Sequence, residues 1–271
     1  MPTTEAKIAV VGAGLAGLTL ASELAQETSA LVIDRLPMYG GVLGYEHPLV
    51  RTLARRCEAV RVEFHLATTA TRWEGHRVLL VGPTGIRWTP ATRLLIATGT
   101  RPSTQAEMGI SGERLAGVLP APVAIHLAEA EVTLGHRVTV VGWGNWANRT
   151  LEAIRHHGAH TACIPLSDAP GVADGFDESW PGWYPVRVEG RSRVERLILA
   201  KDGAEHVIEC DAVILAAKPR PLRNVDGAIW PDSPSATFIQ PVAESLTAEE
   251  VVEAAKKAAA ELGSRAAMGS R

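Results

Sequence analysis

The stretch VVGAGLAG, from Val10 to Gly17, decides the fold. A short β-branched run precedes it, and leucines at helical spacing follow it, so the sequence predicts a buried strand, a glycine turn and a helix. The three glycines have GxGxxG spacing: the first makes the tight turn, the second lets a pyrophosphate approach the backbone, and the third lets the helix lie close to the strand. The candidate dinucleotide-binding residues are Gly12, Ala13, Gly14, Leu15, Ala16 and Gly17.

A second strand follows the predicted helix and ends at an acidic residue. Ala30 to Ile33 is the apolar run, and Asp34 comes 22 residues after Gly12, where a carboxylate can bind the diol of a ribose. Asp34 and the adjacent Arg35 are therefore candidate cofactor-binding residues.

The chain then enters a turn rich in proline and glycine that contains Gly40 and Gly41, and continues as GVLGYEHPLVRTLARR. The order GAGLAGLTLA, VIDR and GGVLGYEHP resembles the FAD-binding half of the two-dinucleotide-binding-domain flavoproteins. That superfamily includes thioredoxin reductase and the small subunit of glutamate synthase. The chain is also similar to the flavin-fold subunits of dye-linked proline dehydrogenase. Further along, LLIATGTRP resembles the second FAD signature of the superfamily, which adds Thr98 and Gly99 to the candidates.

The resemblance extends over most of the chain and implies an α/β fold with two nested Rossmann-like domains built on parallel sheets. An FAD-binding domain is expected over residues 1–112 plus 211–271, with HVIECDAVILA, from His206 to Ala216, as the strand that returns to it. A domain that resembles an NAD(P)-binding domain is expected over residues 113–210. The implied cofactors are FAD and, in the second domain, NAD(P)H.

The near-copy VVGWGNWA, from Val140 to Ala147, is the second glycine turn, and it departs from the family pattern. Its candidate nucleotide-binding residues are Gly142, Gly144 and Asn145. Alanine replaces the third glycine, Trp143 puts a large ring beside the turn, and Arg149 stands where several members have Glu. The next strand, near residues 160–164, ends without an acid, and Asp168 comes late. Nicotinamide binding and an empty or reassigned second pocket both remain open.

The motif that closes the family pattern also differs. Gln240 and Pro241 occupy the place of the Gly-Asp pair whose Asp binds the ribityl chain of FAD in the family, so Gln240 is the candidate contact here. Thr247 and Glu250 have the spacing of a capping box and predict the start of the last helix.

Composition excludes several classes of function. The net charge of -3 gives no basic field for nucleic acid, and no apolar run is long enough for a membrane span. No signal peptide is evident, so a cytoplasmic protein with three reduced cysteines is expected; no CxxC motif is present. The expected partners are a small-molecule substrate or electron acceptor, and a partner subunit or a second copy. No metal site is expected.

Three functions remain open at this stage. The first is an FAD-dependent oxidoreductase that passes hydride between NAD(P)H or a small substrate and an acceptor. The second is the flavin-fold subunit of a heteromeric amine or amino-acid dehydrogenase. The third is a nucleotide-binding scaffold that has lost redox activity. No catalytic residue is assigned, and His47, in the loop after the double glycine, is the one side chain considered for proton transfer.

Overall fold

A computed structural model describes residues 7–166, 175–217, 219–222, 234–239 and 247–268. The helices are α1 (Leu15–Leu24), α2 (Pro48–Ala59), α3 (Ala121–Glu129), α4 (Asn145–Arg155) and α5 (Ala248–Met268). The strands are β1 (Lys7–Val11), β2 (Ser29–Ile33), β3 (Glu63–His65), β4 (Thr69–Trp73), β5 (Arg77–Gly82), β6 (Gly85–Pro90), β7 (Arg93–Ile96), β8 (Thr100–Arg101), β9 (Val118–Pro120), β10 (Arg137–Gly142), β11 (His160–Ile164), β12 (Glu178–Ser179), β13 (Tyr184–Gly190), β14 (Val194–Lys201), β15 (Ala204–Glu209), β16 (Ala212–Ala216), β17 (Arg220–Pro221) and β18 (Ala236–Phe238).

The chain divides into two compact units, residues 1–100 with 221–271 and residues 101–220. The chain passes from one unit to the other at the short strands β8 and β17. Both units contain a five-stranded parallel sheet, which confirms the predicted α/β fold class.

The first unit has three layers. Its parallel sheet has the order β18-β7-β1-β2-β3. Helices α1, α2 and α5 pack on one face around Val10, Leu18 and Ala255. The antiparallel sheet β4-β5-β6 covers the other face, where Trp73 and Leu80 are buried. Since alternate residues of β1 face opposite layers, the strand is apolar from Ile8 to Val11, as the sequence of a doubly covered strand requires.

The second unit repeats these layers. Its parallel sheet has the order β12-β11-β10-β16-β9. Helices α3 and α4 pack on one face, and the antiparallel sheet β13-β14-β15 packs on the other, around Leu197 and Val213. The two glycine phrases therefore occupy the same place in two copies of one architecture.

One strand assignment made from the sequence is wrong. The segment from His206 to Ala216 was expected to return to the first domain, but it forms most of β15 and all of β16, and both lie in sheets of the second unit. The cause is pairing: β16 lies between β10 and β9, and Ile214 is opposite Val140. The structure places the limits of the inserted unit at residues 101 and 220, compared with the expected 113 and 210.

Candidate functional site

The first glycine turn is closed so tightly that no side chain fits at its first and third glycines. Gly12 has φ +109°, its N–H donates to Ile33 O at 2.8 Å, and a Cβ atom there would lie 2.3 Å from Ala97 O. A Cβ atom on Gly17 would lie 1.8 Å from Gly12 O. The predicted reasons for both glycines, a left-handed turn and close helix packing, are those that the geometry shows.

Helix α1 begins at this turn with its N-terminus open. Gly14 is the N-cap residue, no side chain caps the helix, and no acidic residue stands in its first turn. The first backbone N–H groups of a helix have no partner within the helix, and the macrodipole adds positive potential at the same end. Leu15 and Ala16 form the start of α1, so these candidate residues present N–H groups suited to a phosphate.

The double glycine lies against the same turn. Gly40 N–H donates to Ala13 O at 2.8 Å. A Cβ atom on Gly41 would lie 3.1 Å from Gly14 Cα, and one on Gly14 would lie 3.8 Å from Gly41 Cα. Gly14 and Gly41 face each other, and we call the set Gly12, Gly14, Gly40 and Gly41 the glycine cradle. These glycines carry no side chains, and a pyrophosphate can approach the backbone closely only where side chains are absent.

Asp34 is fixed beside the cradle by the backbone. Its carboxylate accepts a hydrogen bond from Ala13 N–H at 2.6 Å and another from Leu36 N–H at 2.8 Å. Each carboxylate oxygen keeps a further lone pair for a ribose hydroxyl. Asp34 is half-buried and Arg35 is exposed next to it. The predicted acid therefore stands at the end of β2, and its carboxylate oxygens can accept further hydrogen bonds from a ligand.

A cavity of about 60 Å³ opens at this end of the sheet. It brings together Gly12, Asp34, Arg35 and Thr98 from the sequence-based candidates. Thr98 Oγ1 donates to Leu222 O, and Leu222 N–H donates to Gly99 O at 3.0 Å. Gly99 has φ +76° and nothing within 4 Å of a Cβ position, so backbone conformation rather than space requires glycine. The cavity-lining residues that sequence reasoning missed are Val11, Ile33, Thr68, Thr69, Ala70 and Leu222; Val11 and Ile33 lie next to predicted site residues, and the other four belong to no motif.

These residues fit an FAD molecule. Gly14 and Gly41 present backbone without side chains, and the α1 N-terminus and Asp34 supply the donors and acceptors that a dinucleotide requires. His47 adds a buried ring nitrogen, Nδ1, that has no hydrogen-bond partner in the described part of the chain. Buried polar groups without a partner are rare and call for a physical explanation.

The second glycine turn matches the first at its first glycine and differs at its second, because φ is +73° at Gly144 and −81° at Gly14. Gly142 has φ +137°, and a Cβ atom there would lie 2.3 Å from Ala216 O, which matches the contact between Gly12 and Ala97. Gly144, with φ +73°, is the N-cap residue of α4, and Asn145 is the first residue of that helix. The turn is therefore formed as predicted, although alanine replaces its third glycine.

The side chains around the second turn differ from those of the first. The ring of Trp146 packs against the core, and the Arg149 guanidinium lies 5.6 Å from its centroid. Trp143 is half-buried. The two large rings, Trp143 and Trp146, thus stand where the first turn has alanine, Ala13 and Ala16.

The second turn also has no equivalent of Asp34. Val11 is paired with Ile33 in the first sheet, and Val141 is paired with Ile164 in the second. The next residue is Asp34 in one copy and Pro165 in the other. Proline has neither a carboxylate nor a backbone N–H, so this position offers no polar side chain to a ribose. Asp168 lies outside the described residues.

The three cysteines are buried, separate and unpaired. Burial raises the pKa of the Cys57 and Cys163 thiols to about 12 and that of Cys210 to about 11. A thiol reacts as its thiolate, so these side chains are suited to packing rather than to disulfide chemistry. In the described part of the chain, no group of His, Cys, Asp and Glu could hold a metal ion, and no helix is long and apolar enough to cross a membrane.

Near the end of the chain, the capping box is confirmed, and the role of Gln240 stays a prediction. Thr247 N–H donates to Glu250 Oε2 at 2.7 Å, and Glu250 N–H donates to Thr247 Oγ1 at 3.3 Å, which is the predicted capping box. Gln240 and Pro241, the predicted replacement for the Gly-Asp pair, lie outside the described residues.

Residues 1–120 match the family model described as "Pyridine nucleotide-disulphide oxidoreductase". The matched part contains the whole of the glycine cradle and extends into the first twenty residues of the second unit. A search of curated protein sequences finds no match.

Solved structures show the fold over most of the chain. L-proline dehydrogenase from P. horikoshii is 24% identical, with a TM-score of 0.52; the match covers 81% of this chain and 43% of the other. Thioredoxin reductase from T. acidophilum is 17% identical, with a TM-score of 0.65, over 96% of this chain and 98% of the other. An NAD-dependent persulfide reductase from A. fulgidus is 19% identical, with a TM-score of 0.64, over 94% of this chain and 58% of the other.

The solved structures show the same fold, and the family match over residues 1–120 agrees with the resemblance that the sequence motifs indicate. This chain spans less than half of the L-proline dehydrogenase chain. The matched family and these three solved structures are described as oxidoreductases, dehydrogenases or reductases.

Proposed function

We propose that this protein is an FAD-dependent oxidoreductase whose first unit binds the ADP half of FAD in the glycine cradle. The observation that carries the proposal is the bare approach of Gly41 to Gly14, next to the open N-terminus of α1. An acidic side chain held by the backbone stands at the end of the neighbouring strand. A glycine turn alone is weak evidence, whereas this combination has a separate physical reason for each part.

Each part of the site has a binding role in this proposal. The α1 N-terminus holds the pyrophosphate, Asp34 accepts from the ribose, and Gly41, which has no side chain, lets the cofactor lie close to the backbone. When bound, the flavin supplies the two-electron redox chemistry, and the protein contributes binding and orientation. Because the three cysteines are buried with raised pKa values, the proposed electron path does not run through a dithiol of this chain.

The proposal is tested by releasing the cofactor from protein prepared with added flavin. Denatured protein is expected to release FAD, and native protein is expected to have a flavin spectrum. If no flavin is bound under these conditions, the proposal is wrong, and a scaffold without redox function becomes the better explanation.

A matched pair of variants assigns the site. Asp34→Asn removes the carboxylate beside the cradle, and charged hydrogen bonds are worth about 1.5–3 kcal/mol, which is roughly 10- to 150-fold in the dissociation constant for FAD. Asp211→Asn is the control, because Asp211 also accepts from two backbone N–H groups, those of His136 and Arg137, both at 2.8 Å. Equal FAD affinity in the two variants would remove Asp34 from the site.

A second candidate function is a subunit of an amine or amino-acid dehydrogenase. It is supported by the 24% identity to L-proline dehydrogenase, of which this chain spans 43%, and by Pro165 in the position where an NAD-binding strand has an acid. Anaerobic mixing of the flavin-loaded protein with NADH, NADPH and L-proline separates the candidates. Bleaching by a nicotinamide favours an NAD(P)H oxidoreductase. Bleaching by L-proline, or only after a partner polypeptide is added, favours the dehydrogenase subunit.

A further inference from the structure

The two units can be compared position by position, because their strands pair in the same register. Leu31 and Ala162 each lie two residues before the end of their strands, β2 and β11. Leu31 is opposite Glu63 in the first sheet. Ala162 is opposite Glu178 in the second sheet. In both units the antiparallel sheet begins six residues after this glutamate, with β4 and with β13, so positions 63–70 correspond to positions 178–185.

Side-chain contacts agree with this correspondence. In the first unit, the His65 ring contacts the glutamate two residues before it, and it also contacts Arg87 of β6. In the second unit, Trp180 Nε1–H donates to the glutamate two residues before it at 3.2 Å. The Trp180 ring stacks on His206 of β15, with ring centroids 4.0 Å apart. The two units therefore make the same set of contacts with different residue types.

The units differ at the positions that surround the cavity of the first unit. Three polar side chains of that cavity are exchanged for proline, leucine and tryptophan, and one threonine is exchanged for tyrosine. The four cavity-lining residues of the first unit are Asp34, Arg35, Thr68 and Thr69. Their equivalents in the second unit are Pro165, Leu166, Trp183 and Tyr184.

The larger side chains of the second unit pack together. Leu166 and Trp183 pack against the core cluster that contains Val141 and Ile164. The equivalents of these two core residues in the first unit line the cavity. Trp183 also meets Trp180 edge to face, with ring centroids 6.1 Å apart. The end of the second sheet that corresponds to the proposed ribose position is therefore filled by side chains of this chain.

The glycine phrase of the second turn does not require a bound nucleotide. A Cβ atom on Gly142 would lie 2.3 Å from Ala216 O, so the packing of the turn itself requires glycine. A ribose beside Pro165 would lose its contacts with water and find no side-chain acceptor there. Leaving a buried polar group without a partner opposes binding.

We infer that the second unit does not bind the ADP half of NAD(P)H, and that Leu166 and Trp183 exclude it. The inference rests on the proposed function and narrows its substrate. NAD(P)H, which the description of the matched family implies, does not fit the residues at this end of the second sheet. The substrate class that remains is a small molecule without an adenosine group.

The first test uses the wild-type chain saturated with FAD, so that the first unit is occupied. Its visible spectrum establishes that flavin is bound before anything is added. In a calorimetric titration, ADP-ribose is expected to bind with a dissociation constant above about 1 mM. Reduced nicotinamide mononucleotide is NADH without its adenosine half. It and NADH are expected to reduce the flavin with kcat/KM values within about threefold of each other, or both to leave it oxidised.

The second test gives the second unit the side chains of the first. The triple change Pro165→Asp, Leu166→Arg and Trp183→Thr is expected to lower the dissociation constant for ADP-ribose about tenfold or more. Trp180→His is the matched control. It removes a ring that contacts Trp183, at a position whose equivalent, His65, is not among the residues that line the cavity of the first unit. This control is expected to leave ADP-ribose binding unchanged.

Each outcome has one meaning. A wild-type dissociation constant for ADP-ribose below about 1 mM, or a preference for NADH above about threefold, would overturn the inference. If the triple variant keeps the wild-type melting temperature and gains no ADP-ribose binding, the exclusion by Leu166 and Trp183 is wrong. If the chain binds no FAD, the proposed function fails separately. The titration of the FAD-free chain then decides the inference, since two bound ADP-ribose molecules per chain would overturn it and one or none would support it.

Discussion

Gly17→Ala is the most direct test of the first glycine turn, because the second turn already has alanine at the equivalent position. An added Cβ atom would lie 1.8 Å from Gly12 O and 2.9 Å from Gly12 C. These are backbone atoms, so no rotamer change relieves the overlap. Helix α1 and the turn would have to separate by about 1.6 Å to reach an ordinary contact of 3.4 Å.

The expected cost is about 2 kcal/mol. Overpacking a tight core contact lowers the free energy of unfolding by up to about 3 kcal/mol. The higher helix propensity of alanine raises it by about 1 kcal/mol. For a unit of this size, that corresponds to a fall in melting temperature of roughly 4–8 °C. The displaced helix also carries its N-terminal N–H groups away from the phosphates. A helix end in a favourable, partly buried site is worth up to about 2 kcal/mol, so FAD is expected to bind about tenfold more weakly.

Two measurements check this expectation: thermal unfolding of the FAD-free protein by circular dichroism, and titration with FAD by flavin fluorescence. Ala147→Gly is the matched control. Ala147 is fully buried at the start of α4, so its loss should cost about 1 kcal/mol of helix stability without changing FAD affinity. If Gly17→Ala has the melting temperature and the FAD affinity of the wild-type protein, the argument that a side chain does not fit at the third glycine is refuted.

Three further predictions follow from the remaining features. The rates of flavin reduction by NADH and by NADPH in stopped-flow experiments are expected to differ by less than about 100-fold, roughly 2.7 kcal/mol. Pro165 offers no group that distinguishes the 2'-hydroxyl of NADH from the 2'-phosphate of NADPH. A larger difference would show a selective pocket. The free energy of unfolding is expected to fall as pH rises from about 9 towards 12. The cause is that burial keeps the pKa of Cys57 at about 12 in the folded chain, so the unfolded chain releases its thiol proton first. A Cys57→Ala variant whose melting temperature has the same dependence on pH would contradict this. The double change Gln240→Gly with Pro241→Asp is expected to tighten FAD binding about tenfold or more in a fluorescence titration, since it restores an acceptor and a backbone N–H; weaker binding would mean that this segment serves another ligand.

Much of the first unit could be predicted from the sequence because local rules agree there. The β-branched runs before Gly12 and Asp34 form β1 and β2, and the glycine spacing gives the observed turn. The second turn, the strand over residues 160–164 and the Thr247 capping box were predictable for the same reason. In each case, the chain's local preference and its tertiary environment favour the same conformation.

The features that could not be predicted depend on contacts between distant residues. The place of β16 in the second sheet is decided by pairing with β10 and β9, and its apolar sequence would suit either sheet. The approach of Gly41 to Gly14 joins two loops without a shared motif. The unpaired nitrogen of His47 is defined by what surrounds it, and residue type carries no information on that.

The backbone bonds of Asp34 have a consequence for how quickly the cofactor loads. Ala13 and Leu36 hold the carboxylate at 2.6 and 2.8 Å before any nucleotide arrives, so its conformational entropy is already lost when the chain folds. A preorganised group adds to affinity without a slow rearrangement on encounter. FAD should therefore enter the folded protein in a single bimolecular step, and weakening substitutions in the cradle should act mainly on the residence time of the cofactor.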